Sequence, residues 1–162
     1  MSFSDALFYL TVWSLIGAII FSAFVIFVFR TGIVYTSRKE DGTLKEKIPL
    51  SGYLASIGLL IAIVGFLVLA NYFGLVQQDF GLDFGTLFTL NLLLFLILFL
   101  YDTLVIDGFM LGYWRPDFLH LPDSMGSESM KEHMLKSIPA GIAFGLILSL
   151  ISSVITFYVF MR

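Results

Sequence analysis

The chain has 162 residues, of which 59% are hydrophobic and 13% charged, with a mean hydropathy of +0.97 and a formal net charge of -3. Such a composition excludes an ordinary soluble domain, and the small acidic balance excludes the basic face that a nucleic-acid partner requires. With no cysteine in the chain, disulfides, thiolate nucleophiles and cysteine-based metal or iron–sulfur sites are excluded as well.

Four apolar runs are long enough to cross a bilayer, whose hydrocarbon core of about 30 Å takes roughly 20 helical residues. They cover residues 6–29, 53–73, 84–106 and 137–161. The third reaches full length only if its helix carries Asp102 and continues through Ile106. The expected fold is therefore all-α and polytopic, with one domain over residues 1–162. Four transmembrane helices form a compact bundle, with a short interfacial, amphipathic segment before the fourth.

The first run opens on Met-Ser-Phe-Ser-Asp, which lacks the basic region of a signal peptide, so the helix is expected to be retained. Small residues recur along it at Ser14, Ala18 and Ser22. Phe3, Phe8 and Tyr9 fall where an interfacial aromatic belt lies, as do Tyr101, Tyr113 and Trp114 at the other interface, and Tyr158 and Phe160 near the C-terminus.

Residues 30–52 connect the first two runs and hold Arg30, Arg38, Lys39, Lys45 and Lys47 around an Asp41-Gly42 turn signal. Residues 107–136 hold Arg115, Lys131 and Lys136, so these two connectors contain eight of the nine Lys and Arg residues. The connector between the second and third runs has Gln77, Gln78, Asp79 and Asp83 and no basic residue. The positive-inside rule then puts connectors 30–52 and 107–136 in the cytoplasm and both termini outside, with the plasma (inner) membrane as the default location.

The second run carries a stripe of small residues at Ala55, Gly58, Ala62 and Gly65, the fourth another at Gly141, Gly145, Ser149 and Ser153. Small side chains on one helical face let backbones approach closely. The third run has no small residue between Asn91 and Tyr101. The second and fourth helices are thus expected to make the closest contacts, largely within the chain, and much of the third to meet lipid or larger side chains.

Polar groups inside a bilayer are costly, which makes Asn91 and Asp102 the intramembrane candidates. Eleven residues apart, they share one face of the third helix. Asp107 follows Asp102 by five residues, a rotation of about 140° on a regular α-helix, so a carboxylate pair there requires a break in the helix.

The connector at 107–136 begins too apolar for a free loop, and Pro116 and Pro122 interrupt any continuous helix. It is expected on the membrane surface, anchored by Trp114, with Arg115 reaching phosphates or Asp107. Ser129 and Glu132 fit a capping box for an amphipathic lead into the fourth helix, with Met130, Met134 and Ile138 on its apolar side. Pro139 falls either inside that helix or in the first turn of a later one.

His120 and His133 lie in the same connector among several acids, but without HxxxH, HExxH or DxxD spacing, so neither a metal nor another cofactor is expected. Phosphate-binding loop, dinucleotide fingerprint and nucleophile elbow are all missing. The Asp102-x4-Asp107-Gly108 stretch does not match the D-x2-D-G-x2-A-R pattern of the CDP-alcohol phosphotransferases.

Three functions remain, in order of support. The first is helix–helix association, as a homo-oligomer or as a subunit or scaffold of a membrane complex, with the lipid bilayer as the constant partner. The second is an oligomeric transporter or channel with Asn91 and Asp102 lining the path. The third is an enzyme acting on lipid headgroups at the cytoplasmic interface through Asp102, Asp107, Arg115 and His120. The absence of a catalytic motif puts it last.

Overall fold

The chain enters its first helix through a capping box. The Asp5 N–H donates to Ser2 Oγ at 3.2 Å, and the Ser2 N–H donates back to the Asp5 carboxylate at 2.8 Å, satisfying two donors that the helix leaves open. Helix α1 (Phe3–Arg30) ends on a basic residue, favourable at the negative end of the helix dipole. The structure is a computed structural model and describes residues 1–31, 50–119, 121 and 127–161, apart from the side chains of 51, 52, 55 and 127–134. The basic residues at 38, 39, 45 and 47, the Asp41-Gly42 turn, His120, and the side chains of Ala55, Ser129, Glu132 and His133 lie outside that description.

Helix α2 (Leu50–Asn71) runs on through one π-helical stretch, Tyr72–Val76, closed by the Gln77 N–H donating to Tyr72 O at 3.0 Å. Asp79 and Gly81 take positive φ angles of 51° and 58° and turn the chain. Asp83 then caps α3 (Phe84–Tyr101), accepting from the Thr86 N–H at 3.0 Å and from the Thr86 hydroxyl at 2.7 Å.

Beyond Tyr101 the third helix does not stop. It widens into a π-helix from Asp102 to Trp114, which ends where Arg115 turns left-handed at φ 46° and donates its N–H to Met110 O at 2.9 Å. Pro116 then prevents the helix from continuing. A 3₁₀ turn follows at Asp117–Leu119, and α4 (Ser127–Phe160) carries Pro139 in its interior, so the amphipathic lead and the fourth span are one helix.

Four helical segments are long and apolar enough to cross a membrane: Phe3–Arg30, Ser56–Val76, Phe84–Trp114 and Leu135–Phe160. They pack together, and the chain is a multi-pass membrane protein of all-helical class. Both termini and the turn at 77–83 share one end, called here the terminal end. Arg30, Arg115 and Lys136 mark the opposite, basic end.

Helix α4 is central, packing against α2, α3 and the π-helix, while α1 lies mainly along α3. One apolar cluster near the terminal end gathers Tyr9, Leu67, Leu75, Leu87 and Leu94. A second, at the basic end, joins Val25 and Phe29 of α1 to Ile106, Met110 and Leu111 of the π-helix.

This packing departs from expectation at α3. The closest pair is α3 with α4 rather than α2 with α4. The reason is steric: a Cβ on Gly145 would lie 2.6 Å from the Phe95 ring, and one on Gly141 would collide with Phe99. The small residues of α4 are notches filled by the large residues of α3, so a helical stretch without small residues can still pack tightly.

The aromatic belt also needs correction. Phe3, Phe8, Tyr158, Tyr113 and Trp114 are exposed as expected. Tyr9 is instead only 3% exposed, and the Tyr101 hydroxyl pairs with Ser22 Oγ at 2.7 Å inside the bundle.

Candidate functional site

Two polar regions are built into the bundle, one structural in character and one lining a cavity. The first begins at the terminal end. Tyr9 of α1 donates to Asn71 Oδ1 at 2.8 Å, and Asn71 Nδ2 donates to Thr156 Oγ1 of α4 at 3.0 Å. Deeper along α3, Asn91 Nδ2 donates to Ser153 Oγ at 2.7 Å, and the Ser153 hydroxyl donates to Ser149 O one turn back, at 2.7 Å. Ser152 likewise bonds back to Leu148 O at 2.8 Å. Asn71, Asn91, Ser149, Ser152, Ser153 and Thr156 are all fully buried. In hydrocarbon such groups hold helices together because lipid offers them no partner.

Along α3 the stacked rings of Phe95 and Phe99, with centroids 6.3 Å apart, come between Asn91 and Asp102. Asn91 faces α4 and is wholly buried, whereas Asp102 is half-buried and opens on a cavity.

That cavity, about 180 Å³, lies among α1, α2 and α3. Its walls include Phe21 and Phe24 of α1, Phe66 of α2, and Phe95 and Phe99 of α3, and Asp102 is the one charged group among them. Gly17 makes room on the α1 side, since a Cβ there would sit 2.9 Å from both Leu98 and Phe66. Among the described residues none forms a hydrogen bond or ion pair with the Asp102 carboxylate.

Asp102 is also the first residue of the π-helix. A π-helix closes hydrogen bonds over five residues and so has more residues per turn, which brings residues five apart much nearer to one side than on an α-helix. The Asp107 carboxylate accordingly comes within electrostatic reach of Asp102. The wide helix supplies the break that the five-residue spacing requires.

No known family, curated protein or solved structure matches this chain. Its chemistry therefore rests on its own residues. Asp107 and Arg115 are both half-buried and both engaged in interactions, Arg115 from its left-handed backbone at the end of the π-helix. Among the described residues, no group of three His, Asp or Glu side chains is placed to hold a metal.

The α2 stripe is used differently from that of α4. A Cβ on Gly58 or Gly65 would meet nothing within 4 Å, and Ala62 is exposed. Around them Leu54, Ile57 and Ile61 are 59, 53 and 67% exposed.

Asn71 is a buried interhelical link absent from the candidates read in the sequence. Its signal was available: a carboxamide within an apolar run, the same feature that singled out Asn91. The cavity had no such signal, because its walls come from three helices that are far apart in sequence.

Proposed function

We propose that the protein acts by helix–helix association in a plasma (inner) membrane, as a homo-oligomer or as a subunit of a membrane complex, through the exposed face of α2. The observation that carries this reading is the open space over Gly58 and Gly65. Close backbone approach is the main use of small residues in a membrane helix, where lipid and leucine are equally apolar and packing supplies the driving force. The glycines of α4 spend that capacity on Phe95 and Phe99, while those of α2 retain it for a second chain. The basic connectors face the cytoplasm in this proposal, and both termini face outward.

The test is the oligomeric state of wild type and a Gly58→Ile/Gly65→Ile variant, counted by single-molecule photobleaching in membrane-derived nanodiscs. Association through α2 predicts a discrete wild-type complex, with itself or a co-purifying membrane protein, that the variant loses while its helix content is unchanged. A complex of the same size in both overturns the assignment.

A further inference from the structure

The cavity beside Asp102 is walled by α1, α2 and α3, with Ala62 of the α2 stripe at its edge, and its walls define what it can hold. Its volume is about 180 Å³. An apolar cavity of about 150 Å³ accommodates a benzene-sized molecule, so the space admits a body of that size with one small substituent. Aromatic rings from three different helices surround it: Phe21 and Phe24, Phe66, and Phe95 with Phe99. Ring faces attract cations, and aromatic cages are a recurrent receptor for ammonium groups.

At one end stands Asp102, a carboxylate within a membrane-spanning segment that no described residue bonds. Carboxylates at such depth are expensive unless paired, and a charged or polar group retained there marks a ligand or ion route. Asp107 adds a second negative charge within electrostatic reach, which disfavours an anionic or electron-rich guest. Arg115 and Lys136 lie at the basic end, and neither belongs to the cavity wall.

We propose that this cavity binds a membrane-partitioned organic cation: one ammonium group, paired with Asp102, on an apolar body of about benzene size held among the phenylalanines. A lipid acyl chain would use the apolar walls but leave the carboxylate unmatched. An inorganic cation would match the carboxylate but find no other oxygen ligand in the wall, where hard cations take six or more. The organic cation alone uses both features.

The experiment is equilibrium dialysis of the purified protein in nanodiscs with radiolabelled benzylammonium, competed by its uncharged isostere ethylbenzene. The isostere matches the cation in shape and differs in charge, so the comparison on wild type needs no variant. We expect saturable binding of the cation, with the isostere at least tenfold weaker as a competitor. Asp102→Asn lowers cation affinity at least tenfold while thermal stability and oligomer size hold. Ile20→Trp, which adds bulk to the cavity wall from α1 and leaves the carboxylate in place, also abolishes binding. Three results would overturn the proposal: no saturable binding by wild type, equal competition by the isostere, or unchanged affinity in Asp102→Asn. If the Gly58→Ile/Gly65→Ile variant loses its oligomer but still binds the cation, the cavity stands and is separate from association.

Discussion

The Tyr9 hydroxyl donates to Asn71 Oδ1 at 2.8 Å, joining the outset of α1 to the last residue of α2 across 62 positions of sequence. Since Asn71 in turn donates to Thr156, three helices meet at one carboxamide. Tyr9→Phe should cost about 0.5–2 kcal/mol, the range measured for hydrogen bonds between membrane helices. Asn71→Ala should cost more, because it strands two buried partners at once. Unfolding titrations of both variants in mixed micelles provide the check. Equal stability of Tyr9→Phe and wild type would mean that this bond contributes nothing.

The two glycine stripes should respond in opposite ways. Gly145→Ile forces a branched side chain into the Phe95 ring, and overpacking of that kind costs about 1–3 kcal/mol. Gly58→Ile meets open space and should leave the melting temperature of the isolated chain near that of wild type. Melting both in detergent at concentrations low enough to keep the chain monomeric separates them. A Gly58→Ile variant that melts as low as Gly145→Ile would mean that α2 packs internally.

Acid should weaken the start of α3. The Thr86 hydroxyl, and then the Thr86 backbone N–H, hold the Asp83 carboxyl below its ordinary value of 3.8. A carboxyl lowered in the folded state contributes stability that is fully present above the unfolded value and lost as pH falls through the folded one. Asp83→Asn keeps a capping side chain without the charge. The wild type should therefore melt above this variant near neutral pH, and the gap should close below the ordinary carboxylate range. A gap that persists in strong acid would rule out this charge as its source.

Topology can be read with single cysteines, because the chain has none of its own. Cysteine at Thr43 and cysteine at Gln78 should react with an impermeant maleimide from opposite sides of sealed vesicles. Labelling of both from one side would contradict the four-span arrangement.

The spans were legible because length and apolarity are properties of contiguous sequence. Their true ends were not: the second span runs past Phe73 to Val76 and the third past Ile106 to Trp114, and the π register of Tyr72–Val76 and Asp102–Trp114 is a choice that no residue pattern here announces. Asp102 stood out because charge is costly in hydrocarbon, but its surroundings did not, since Phe24, Phe66 and Phe99 meet only after three helices have packed. The stripe at Gly141 and Gly145 is recognisable, yet its complement is a pair of large residues, Phe95 and Phe99, that carry no small-residue signal. Tyr9 looked like an interfacial tyrosine, and only the position of Asn71 across the bundle separates an anchor from a buried donor.

Helix α4 is the hub of the bundle, and it leaves the ribosome after α1, α2 and α3. Until it is made, Asn71 and Asn91 lack Thr156 and Ser153, the groups that accept their amide hydrogens. An unfinished chain thus presents two unmatched carboxamides to lipid, while a finished one hides them. Membrane quality control that senses exposed polarity could distinguish the two states, so a chain truncated before α4 should be cleared faster than one carrying a defect at the surface.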